Sequence, residues 1–67
     1  MKHYHVDLRS FSAEEQERLS DVLNRFSFIC FPLLERERIG IYDVFWDSSE
    51  PVENVLKIPP KYVILQP

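Results

Sequence analysis

Ile39-Gly-Ile-Tyr-Asp-Val-Phe-Trp46 (IGIYDVFW) is the stretch whose reading decides the fold. Six of its eight side chains are apolar, most of them β-branched or aromatic, which suits a central strand. In an extended chain Ile39, Ile41 and Phe45 fall on one face, and Tyr42, Val44 and Trp46 on the other. One face covers a hydrophobic core. The other requires a second layer, a partner or a functional surface. Asp43 interrupts the run on the Ile39 parity. If that face is the core, the carboxylate needs a partner, for which Arg36 or Arg38 is placed; otherwise the face opens to water there. Gly40, the one glycine of the chain, reads as a close backbone approach or a bulge within the strand.

Outward from this strand, His3 to Arg9 alternates. Tyr4, Val6 and Leu8 share one side, and His3, His5, Asp7 and Arg9 the other, the pattern of a half-buried strand. Ser12 is the expected N-cap of a helix from Ala13 to about Arg25, with Glu15 at capping-box spacing. Its apolar stripe is Leu19, Val22, Leu23 and Phe26, extended toward Ala13 and Gln16. Phe28 to Phe31 is a short strand that ends at Pro32, or else lies at a sheet edge. Glu35 to Arg38 is a polar connection. Asp47 to Pro51 is a surface turn. Val52 to Lys57 reads as one helical turn or an irregular lid, and Tyr62 to Leu65 as a last short strand. The expected fold is α+β: a single 1–67 domain of β-α-β-β(-β) order. Its sheet is mainly antiparallel with three or four strands, and one helix packs on one face.

With 67 residues the chain buries only about 60% of its unfolded surface, so association is the natural supplement to a thin core. The single cysteine, Cys30, excludes an intrachain disulfide and reads as a packed, reduced thiol. Eleven acidic and eight basic residues give a net charge of -3, without the basic footprint of a nucleic-acid binder. No apolar run approaches the about 18 residues of a membrane span, and no signal-peptide pattern is present; a cytoplasmic location is expected.

Chemistry-bearing patterns are sparse. His3 and His5 share one strand face, and Asp7 follows with the same parity. His3 and Asp7 lie about 13 Å apart in an extended chain, so one ion cannot collect all three without a bend. No metal site and no cofactor are expected. Ser10, Ser12, Ser48 and Ser49 stand in caps and turns without a positioned base, and no glycine loop could cradle a phosphate. An enzyme is not expected. The expected function is a small protein-binding module, an inhibitor or modulator of the kind phages and mobile elements encode. Its surface would be Tyr42, Asp43, Trp46, Asp47 and Glu50, an aromatic anchor with acidic neighbours facing a partner protein with a basic surface. The alternatives are a homo-oligomer in which a second copy covers the open strand face, and an acidic mimic that blocks a nucleic-acid-handling protein. Direct nucleic-acid or membrane binding is not expected.

Overall fold

The computed structural model describes Met1–Pro67. Strand β1 spans Lys2–Asp7, helix α1 Ala13–Phe26, β2 Ile29–Pro32, β3 Ile41–Trp46, α2 Val52–Leu56 and β4 Val63–Leu65. Short 3-10 turns cover Arg36–Arg38 and Pro60–Tyr62. The four strands form one sheet in the order β2-β3-β1-β4, every neighbouring pair antiparallel. It follows that β1 and β2 run parallel with β3 inserted between them, and β3 and β4 run parallel with β1 between. Two such split β-α-β units make the arrangement known as ferredoxin-like, here with α2 reduced to five residues. The expected α+β class is the observed one; the sheet has four strands, and the second helix joins the first on the same face.

The core lies between the helices and the even-numbered side of the central strands. Val6, Leu8, Leu19, Leu23, Val44, Trp46, Val52, Leu56 and Ile58 are buried there. Helix α1 starts as its sequence dictates: the Ser12 hydroxyl accepts the Glu15 backbone N–H at 3.2 Å. Its stripe is narrower than the apolar pattern implied. Leu19 and Leu23 are buried, Val22 is partly packed, and Phe26 at the last turn is exposed. The helix ends before the sheet can cover that ring. Phe11 meets Tyr62 edge-on at 4.9 Å between ring centres, closing the other end of the core.

One local reading changes, and one open alternative is decided. Strand β3 begins at Ile41, because Gly40 adopts φ +99° and ends the extended run. Gly40 is thus a turn residue, and Ile39 is carried outside the strand into solvent. Strand β2 retains Pro32. Leu33 donates to the Ile41 carbonyl at 2.9 Å, so by antiparallel alternation the backbone nitrogen of Pro32 faces the free edge, where no donor is required.

Candidate functional site: the open face of the sheet

The helices occupy one side of the sheet only. The odd-numbered residues of β1, β2 and β3, with Ile64 of β4, form the other side. Register sets the rows: Ile29, Phe45 and His3 lie in line, and Phe31, Asp43, His5 and Ile64 in the next. Ile29 retains 46% of its surface exposure, Phe31 44% and Ile64 51%. Large side chains at these levels, side by side on one face, form an apolar surface with no intramolecular cover.

A polar cluster sits at the centre of that surface. Leu8 donates to the Gly40 carbonyl, which makes 8 and 40 a hydrogen-bonded pair. By alternation His5 and Asp43 form a non-hydrogen-bonded pair, the kind whose side chains stand closest. His3 is diagonal to Asp43 and leans toward it, its ring stacked on Phe45 at 4.3 Å with planes 6° apart. His3 Nε2 is hydrogen-bonded to Asp43 Oδ1, and His5 Nε2 stands 3.4 Å from the same oxygen. The two imidazoles meet edge to face at 5.6 Å. On its far side His5 Nδ1 accepts from Arg38 Nη2 at 3.2 Å. A guanidinium has donors only, so this bond places the ring hydrogen of His5 on Nε2, directed at Asp43. Arg38 also reaches Glu35 Oε1 at 3.2 Å.

Asp43 therefore has partners, but not the expected ones. The arginine of the neighbouring arm contacts His5, and two histidines from β1 hold the carboxylate. Asp7 lies apart from the cluster. Two side-chain bonds from Arg9, at 3.0 and 2.8 Å, engage it and hold its carboxyl below the ordinary carboxylate range, against an opposing effect of burial. Cys30 lies on the core side of β2, where burial, and secondly the charge of Asp43, push its thiol up to about 11.

The segment expected to form one binding surface divides between layers. Trp46 is 3% exposed and belongs to the core, with its Nε1 donating to the Glu50 carbonyl. Tyr42 packs against the same core. Asp43 lies on the opposite face, and Asp47 and Glu50 are exposed in the turn after β3. Sequence reasoning missed Ile29, Phe31 and Ile64, and it weighed His3 and His5 as a pair with Asp7 rather than with Asp43. The parity of Asp43 already placed it with Phe45. Its proximity to the histidines depends on pairing strands some 40 residues apart, which no local pattern records. Neither a protein family, nor a curated protein, nor a solved structure matches this chain. No helix is long and apolar enough to cross a membrane.

Proposed function

We propose that this chain is a protein-binding module that docks through the open face of its sheet. One observation carries the reading: large apolar side chains of β2 and β4, Ile29, Phe31 and Ile64, stand exposed around the centre of a sheet whose helices both pack on the other face. Burying that surface supplies the stabilisation that a chain of this length lacks. The favoured partner is a different protein that presents an apolar ridge flanked by basic groups. The chain carries a charge of -3, and Asp47 and Glu50 stand exposed beside the end of β3. RNA-binding modules also use aromatic side chains on four-stranded sheets. Here the middle of the face holds a carboxylate, and the chain as a whole repels a polyanion.

The test places a photo-crosslinking residue at position 31 or, as a control on the outer side of α1, at position 21, and irradiates the producing cells. A discrete adduct with a foreign protein from position 31 alone supports the reading, and Ile29→Lys should abolish it. Equal labelling from both positions, or none, overturns docking by this face. An adduct of twice the chain mass replaces the foreign partner with a second copy.

A further inference from the structure

We propose that His3, His5 and Asp43 form a binding site for one divalent first-row transition-metal ion, zinc above all, independently of whether the surrounding face docks a protein. One ligand atom from each residue lies within 4.8 Å of the others. Tetrahedral zinc, with bonds of about 2.0–2.1 Å to nitrogen and about 2.0–2.2 Å to a carboxylate oxygen, spaces its ligands about 3.3–3.5 Å apart. To reach that spacing the His3–Asp43 hydrogen bond must open and the other separations draw in, which rotation about the side-chain bonds can supply. Both Nε2 atoms already face one oxygen of Asp43, so the three ligand atoms are immediate neighbours.

The donor set has the right chemistry. Two imidazoles and a carboxylate form a borderline set that favours zinc, cobalt and nickel over calcium or magnesium, which take oxygen ligands. Three protein ligands leave a fourth position, and here it points out of the sheet, where water or an incoming side chain has access. All three ligands stand on the two central strands, the most firmly held backbone in the fold. The stack on Phe45 fixes the plane of the His3 ring. Phe31, which pairs with Asp43 from β2, and Ile64, which pairs with His5 from β4, give the cluster an apolar border.

Arg38 opposes the ion. To ligate through Nε2, His5 must carry its ring hydrogen on Nδ1, and a group with donors only cannot stay there. The guanidinium is also a positive charge beside a dication. Its side chain is partly exposed and already bonded to Glu35, so it has a place to go. Arg38 thus holds His5 in the metal-free tautomer and moves aside when the ion binds. A carbonyl oxygen at this position would instead accept the Nδ1 hydrogen and reinforce the ligand.

The experiment is titration of the tag-free full chain with zinc, followed by calorimetry, and with cobalt, followed by its visible spectrum. One ion per chain is expected. Because the chain has only two histidines, zinc should shift both imidazole spectra in NMR and leave the core unmoved. Asp43→Asn keeps the side-chain shape and should weaken binding by at least about tenfold. His3→Ala with His5→Ala should abolish stoichiometric uptake, Cys30→Ser should leave it unchanged, and Arg38→Gln should tighten it. Failure of the wild-type chain to take up one ion overturns the site. So does uptake that Asp43→Asn leaves undiminished, stoichiometric uptake that survives the double histidine variant, or a cobalt–thiolate band that depends on Cys30. Weaker binding by Arg38→Gln overturns the role given to Arg38. Where a variant does not fold, the wild-type NMR titration decides: shifts that bypass the two imidazoles reject the assignment.

Discussion

The indole nitrogen of Trp46 donates to the carbonyl oxygen of Glu50 at 2.7 Å, pinning the turn after β3 over the largest ring of the core. Trp46→Ala removes that bond and empties a buried site. The expected loss is about 3–5 kcal/mol. Total stability for this length is roughly 3–10 kcal/mol, so much of the population should unfold. Trp46→Phe retains the ring volume in part and should remain folded. Chemical denaturation of the isolated chain measures both, and an unaffected Trp46→Ala midpoint would remove Trp46 from the core.

Ser12→Ala should cost roughly 0.5–2 kcal/mol by leaving the Glu15 amide without its cap. Ser12→Asn, which can accept the same hydrogen, should recover most of it. Equal loss in both variants would show that the hydroxyl has another role.

Gly40→Ala is expected to destabilise by about 1–2 kcal/mol from the left-handed backbone alone. Contact adds to this, because a Cβ at Gly40 would lie 2.8 Å from Arg9 Cγ. Arg9 cannot yield freely: its guanidinium holds Asp7 and reaches the Glu37 carbonyl at 3.3 Å. Ile39→Ala next to it, at an exposed position, should change stability by no more than about 0.5 kcal/mol. Equal values for the two would refute the close approach.

The Cys30 thiol gives a pH signature at the alkaline end. Its ordinary value is 9.0, and folding raises it to about 11, through burial first and the Asp43 charge second. The unfolded chain therefore loses this proton first. The stabilisation is fully present below 9.0 and is lost as pH rises toward 11. Cys30→Ser should flatten that decline, and the native thiol should alkylate slowly compared with the denatured one. Rapid alkylation of the folded chain would place Cys30 at the surface.

At the acid end the sign reverses. Arg9 lowers Asp7 in the fold, so the pair stabilises above the unfolded carboxylate value of 3.8 and ceases to do so as pH falls through the lower folded value. Asp7→Asn should make the acid limb of the stability curve shallower. An unchanged limb would mean that Asp7 is equally free in both states.

Local rules made much of this fold legible. The Ser12 cap, the Leu19–Leu23 stripe and the alternation of β1 and β3 each depend on neighbours in the chain, and each stands where the pattern put it. The close approach expected at Gly40 is present, against Arg9, but a lone glycine within an apolar run satisfies a bulge within the strand as well as a turn before it. Only its φ of +99° distinguishes them. The His–Asp cluster was beyond reach for a different reason. His3, His5 and Asp7 share one face of one strand, so local spacing offers Asp7 as the acid nearest the histidines. Antiparallel register brings Asp43 across instead, and register follows from the global order of strands rather than from spacing along one of them.

The order of strands also bears on how the chain folds. Strand β1 is central, and both its neighbours follow it in the sequence: β3 after Gly40 and β4 only at Val63–Leu65. Until these pair, its two edges have no intramolecular partner, and Val6 and Leu8 have no completed core to enter. Helix α1 forms from local contacts, but the sheet requires β4, about sixty residues after β1, and closes through contacts of long sequence separation. Until β3 and β4 are in place, β1 offers two unpaired edges, the condition in which chaperones, or misdirected pairing with another chain, have access to it.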